Sequence, residues 1–115
     1  MTRSNTDYAS EARRIHDIGK LTDRHIARAT GVAPSTARAW VARTRSPSGR
    51  RAERLVELSS VVERLTLVLR PEYIPVWLTK PVAALGDEKP LDVIAAGGYR
   101  RVARLIAAME SPTAA

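Results

Sequence analysis

The residues that first invite a chemical reading are His16 and His25, with Asp17 and Asp23 beside them, a set that would suit a divalent metal if the fold gathered it. Their positions argue against that. The two histidines fall on different expected helices and lack the ligand spacing that fixes a coordination geometry. Serine, histidine and aspartate are all present, yet no serine stands in a nucleophile elbow, and Gly97-Gly98 reads as a helix break, not a nucleotide cradle. Cysteine is absent, which removes disulfides, thiolate zinc sites and a cysteine nucleophile together and fits a reducing cytosol. The sequence therefore offers no catalytic, metal or cofactor site.

The chemistry it does offer is cationic. The net charge is +7, and all of the excess lies in residues 1–54, which hold 12 Arg and Lys against 5 Asp and Glu. Residues 55–115 are balanced, with 7 of each. Within the first half, residues 20–54 carry Lys20, Arg24, Arg28, Arg38, Arg43, Arg45, Arg50, Arg51 and Arg54 against only Asp23 and Glu53. A segregated excess of this kind suits a polyanion, because neutralising phosphates releases condensed counterions. A solvated arginine-rich face is the plainer alternative on charge alone.

The elements that must position these side chains are helical throughout. Asn5, Thr6 or Asp7 caps a first helix that runs to about Ile18, with Ala12 and Ile15 on its apolar stripe and Gly19 at its end. Thr22 or Asp23 opens a second helix reaching Ala29, Gly31 breaks it, and Pro34 starts a third that ends near Val41. A turn-forming linker over 44–49 follows. The longest stripe is Leu55, Leu58, Val62, Leu65 and Leu69, a core helix ending before Pro71. Prolines at 71, 75, 81 and 90 then break the chain into short helices near 72–78, 81–85, 90–96 and 98–109. The expected architecture is all-α, divided as 1–54, a connecting helix at 55–70, and 71–115. With 115 residues this is one compact domain or two small lobes sharing a core. No apolar run approaches the ~20 residues that span a bilayer, so a cytoplasmic protein without a membrane partner is expected.

Residues 23–42 meet the physical requirements of a helix-turn-helix. Ile26 faces the core, Ala27 allows close helix crossing, Gly31 takes the turn, Val32 plugs the corner, and Ala37 and Trp40 seat the second helix. Thr30 is the one slot where an aliphatic residue is more usual. The outward positions of the second helix include Ser35, Thr36 and Arg38. Ser35 and Thr36 suit a phosphate or base edge at the helix start, and the Arg38 fork matches guanine O6 and N7. Arg28, Arg43, Arg45, Arg50 and Arg51 are expected on phosphates. Trp40 belongs to the core and not to base stacking.

Trp77-Leu78, Leu85-Gly86 and the segment KPLDVIAAGGYRRVARLIAAM at 89–109 carry a family resemblance. This half is similar to the toxin-binding domain of Xre/MbcA/ParS-type antitoxins, and with the helix-turn-helix and long helix the likeness covers roughly residues 20–110. Trp77, Leu85, Gly86, Pro90, Leu91, Asp92, Gly97 and Val102 match the family pattern, and Pro75 departs from it. The resemblance implies an Xre-like reader joined by a long helix to a small C-terminal bundle of short helices. It implies an antitoxin that occludes a RES-domain, NAD-degrading toxin and represses its own operon as a homodimer on double-stranded operator DNA. Toxin contact is expected from the final helix and tail, at Tyr99, Arg100, Arg101, Arg104 and Met109. A stand-alone dimeric transcription regulator, whose second half only dimerises, stays open as an alternative.

Overall fold

The computed structural model describes residues 5–111, apart from the side chains of Asn5, Thr6, Asp7 and Ala9. The tail at 112–115 lies outside what is described, and the first helix already includes Asn5, Thr6 and Asp7, the residues expected to cap it. Seven α-helices appear among the described residues: α1 (Asn5–Asp17), α2 (Asp23–Thr30), α3 (Pro34–Val41), α4 (Gly49–Leu65), α5 (Ile74–Thr79), α6 (Pro90–Ala95) and α7 (Tyr99–Glu110). Two 3₁₀ turns, Pro71–Tyr73 and Ala83–Leu85, fill the proline-rich segment. No strand forms there; Val82 and Glu88 make one isolated bridge.

Local chemistry explains most of the boundaries. Thr22, not Asp23, is the cap of α2: its hydroxyl accepts from the His25 backbone N–H at 3.3 Å, while His25 Nδ1 accepts from the Thr22 N–H at 3.1 Å. Histidine here fills the reciprocal role that Glu or Gln usually takes in a capping box. At the other end Gly31 is left-handed (φ 76), which lets the Val32 N–H reach back to Ala27 O at 3.1 Å. After α1 the left-handed residue is Lys20 (φ 60), one position beyond the expected Gly19. α3 closes with Arg43 left-handed (φ 63), its N–H on Trp40 O at 3.0 Å and the Thr44 N–H on Ala39 O at 2.9 Å. That is the Schellman pattern with arginine at the position glycine normally holds.

The long helix differs from the sequence expectation at both ends. It begins at Gly49, before Leu55, so Arg50 and Arg51 sit in its first turn and the 54/55 boundary falls inside a helix. It ends at Leu65: the Thr66 hydroxyl donates to Glu63 O at 2.6 Å, and the Leu67 and Val68 N–H groups bond only three residues back, to Arg64 and Leu65. Leu69 still packs on the core, but from a turn. Pro75 lies in the first turn of α5, where a proline is tolerated, and the short helix ends at Thr79, just before Pro81.

A single cluster of buried side chains runs from Ala12 and Ile15 in α1, through Ile26, Trp40, Leu55 and Leu58, to Leu91, Val102 and Ile106. α4 is its axis, with α1, α2, α6 and α7 packed against it. Trp40 is 2% exposed, as expected of a core residue. Thr30 is buried too, and its hydroxyl is satisfied by Ile26 O at 2.7 Å, so a polar residue fits an aliphatic slot without an unpaired group.

Candidate functional site

The first surface is built on α3 and the start of α4. Ser35 and Arg38 are exposed, Thr36 is half-buried, and Ala37 and Trp40 hold the opposite face of α3 in the core. Neither α3 nor α4 has a side-chain N-cap or an acidic residue in its first turn. Helix N-termini of that kind present positive dipole ends with no acid of their own first turn, a setting that favours phosphate oxygens. Arg43 and Arg45 are exposed on the segment joining the two helices and Arg50 and Arg51 in the first turn of α4, and none has an ion-pair partner among the described residues.

Arg38 differs from these four. Its Nε donates to Asp23 Oδ2 at 3.2 Å, across the angle between α2 and α3. The pair borders a cleft of about 360 Å³ lined by Thr22, Asp23, Arg24, Pro34 and Arg38. Sequence reasoning assigned neither Asp23 nor Arg24 to the surface. An acid in a stretch that holds only two was the available signal.

Arg28, expected on a phosphate, is instead engaged within the chain. Its Nη2 donates to Asp92 Oδ2 at 2.9 Å and its Nε to Oδ1, a bidentate pair that raises the arginine's already high pKa through hydrogen bonding and charge. This joins α2 to α6. His16 and His25 also have structural partners: His16 Nδ1–H donates to Leu21 O at 2.8 Å, and His25 serves the α2 cap. Burial lowers the pKa of His25, in keeping with the unprotonated Nδ1 that the cap requires.

The second surface is the outer face of α7. Arg100, Arg101 and Arg104 are exposed there, while Val102 and Ile106 are fully buried. Arg101 and Arg104 line a groove of about 320 Å³ with Ala84, Leu85, Leu105 and Ala108. Arg101 Nη1 lies 3.7 Å from Glu88, whereas Arg100 and Arg104 have no ion-pair partner among the described residues. Tyr99 is less available than expected, being half-buried with its hydroxyl 3.2 Å from Ser60 Oγ. Met109 is half-buried against the core. Two fastenings hold α7 to α4: that hydroxyl pair, and Arg64 on Glu110, which keeps the Glu110 carboxyl below its usual pKa.

The matched pattern residues act mainly as framework. Leu85, Pro90, Leu91 and Val102 are buried, Gly86 and Gly97 are left-handed, and Trp77 packs on the core from a half-exposed position. Asp92 alone among them reaches out, to Arg28.

With this geometry in place, residues 71–111 match the family model described as the antitoxin Xre/MbcA/ParS C-terminal toxin-binding domain. The chain belongs to this family of antitoxins, which are binding proteins and not enzymes. Among its relatives are the mycobacterial cidal antitoxins MbcA of Mycobacterium tuberculosis and Mycobacterium bovis. Each is 33% identical over 89 residues, covering 77% of this chain and 79% of the relative. A chain in the crystal structure of the M. tuberculosis MbcT-MbcA toxin-antitoxin complex superposes with a TM-score of 0.80 at 28% identity, covering 99% of this chain and 100% of that one. No helix among the described residues is long and apolar enough to cross a membrane.

Proposed function

We propose that this protein is the antitoxin of a type II toxin-antitoxin pair, binding and occluding a RES-domain, NAD-degrading toxin and repressing its own operon. The carrying observation is the full-length likeness to a chain of the MbcT-MbcA complex, together with the toxin-binding family match over 71–111. Inhibition by occlusion needs no chemistry from the antitoxin, only a firmly mounted surface. The outer face of α7, with Arg100, Arg101 and Arg104 presented from a helix tied to α4, supports that role.

The DNA half of the reading makes α2 and α3 an Xre-like helix-turn-helix, joined by α4 to the C-terminal bundle. Arg38 reads a base edge, Ser35 and Thr36 meet the backbone or a base at the start of α3, and Arg43, Arg45, Arg50 and Arg51 hold phosphates. The exposure of Ser35 and Arg38, the missing ion-pair partners of Arg43, Arg45, Arg50 and Arg51, and the uncapped helix starts support this. A homodimer on a two-fold operator would set its reader helices ~34 Å apart. Arg28 is left out of the phosphate set, because its guanidinium already has Asp92.

The test is co-expression with the product of the adjacent gene. Growth arrest by that product is lifted by the wild-type chain, and converting Arg100, Arg101 and Arg104 to glutamate abolishes the rescue without lowering thermal stability. Point substitutions are needed because a deletion after Gly98 would take Val102 and Ile106 from the core. Rescue that survives the triple change would place the toxin contact elsewhere, and arrest that wild type does not lift would overturn the antitoxin reading for that pair.

A further inference from the structure

We propose that Asp23 is a positioning residue for base readout, holding the Arg38 guanidinium in the orientation that reads guanine; this rests on the reading of α3 as the DNA-reading helix. Arg38 is 73% exposed on its side chain and would otherwise sample many rotamers, each lost on docking. Asp23 is 25% exposed and is the first residue of α2, whose start is fixed by the reciprocal bonds between Thr22 and His25. The carboxylate is thus a rigid mount.

The bond it makes is to Nε, at 3.2 Å. An arginine gripped there keeps its terminal edge, with one N–H from each Nη, free for two parallel bonds to O6 and N7. Asp23 also lies in the first turn of α2, where a carboxylate suits the helix dipole, but that role needs no arginine partner. Residues 20–54 hold only two acids, and repulsion from phosphates would disfavour one beside the candidate reading arginine. An exposed ion pair also contributes little to folding, so its removal probes recognition and leaves the fold in place.

The experiment selects duplexes from a randomised DNA library with the full-length wild type, Asp23→Asn, Arg38→Ala and the double variant, with thermal unfolding run alongside. Wild type enriches a guanine at one position of each half-site, and Arg38→Ala loses that preference by roughly 5- to 150-fold, the discrimination one bidentate pair supplies. Asp23→Asn weakens the same preference by about fivefold, near the low end of that range. It leaves other positions unchanged, and it adds nothing in the Arg38→Ala background. A role confined to the charge of the α2 terminus would move the melting temperature and leave base preference alone. Guanine preference left unchanged by Asp23→Asn, or untouched by Arg38→Ala, overturns the proposal. A wild-type chain that enriches no duplex overturns the DNA reading itself, and the proposal with it.

Discussion

Arg28 and Asp92, 64 residues apart in sequence, meet through two hydrogen bonds that join α2 to α6. The contact links the helix pair carrying the basic surface to the segment that matches the toxin-binding family. Both side chains are substantially exposed, so the pair sets register more than it adds stability. Arg28→Ala and Asp92→Ala should each lower the denaturant midpoint only slightly, and the double variant should lose no more than the larger single loss. On DNA, Arg28→Ala should weaken binding less than Arg50→Ala, measured by titration at several salt concentrations. The reverse order would return Arg28 to the phosphate set.

Arg43 occupies a left-handed position that disfavours any residue with a Cβ by roughly 1–2 kcal/mol. Arg43→Gly should therefore raise unfolding free energy by about 1 kcal/mol. If Arg43 also meets a phosphate, the same change should reduce the slope of log affinity against log salt by about 0.9. Gain in stability with loss in binding would mark an arginine kept for its charge. An unchanged salt slope would remove it from the interface.

Gly98 leaves no room for a side chain. A Cβ there would lie 2.6 Å from Val93 Cγ1 and 3.1 Å from Val93 O, and Val93 is itself buried in the core. Gly98→Ala should destabilise by about 1–3 kcal/mol through overpacking. The check is a shifted chemical-denaturation midpoint with an unchanged slope. A neutral result would mean that the α6–α7 junction adjusts freely.

His25 gives the fold a pH dependence of defined sign. Burial lowers its pKa below 6.5, so the folded chain binds this proton less readily than the unfolded chain. Its contribution is fully present above 6.5 and declines as pH falls from there through the lowered folded value. Protonation would also remove the Nδ1 acceptor from the Thr22 cap. His25→Gln keeps an acceptor that does not titrate, and should flatten the fall in melting temperature between pH 7.5 and 5.5, chosen to straddle roughly the ordinary histidine range. Identical slopes for the two proteins would exclude His25 as the source.

Local signals made most of the helices readable. Pro34, Gly31 and Thr22 mark ends by fixed dihedrals and caps, and the leucine stripe at 55, 58 and 65 follows from helical period alone. What period could not give was where α4 stops. Leu69 continues the stripe in register, yet the Thr66 turn ends the helix while leaving Leu69 on the core. The partners of Arg28 and Arg38 were illegible for a related reason. An ion pair across 64 or 15 residues leaves no local trace, since either arginine would look equally free in a basic stretch. Burial was legible where a residue had one inward direction, as with Ala37 and Trp40.

The unbroken packing from Ala12 to Ile106 leaves no joint among the described residues at which the two surfaces could part company. Val102 and Trp40 belong to one body, so melting or proteolytic nicking at the last helix would reach the first three as well. Whatever the two surfaces hold would then be let go at the same moment, and the lifetime of the folded chain would time both releases.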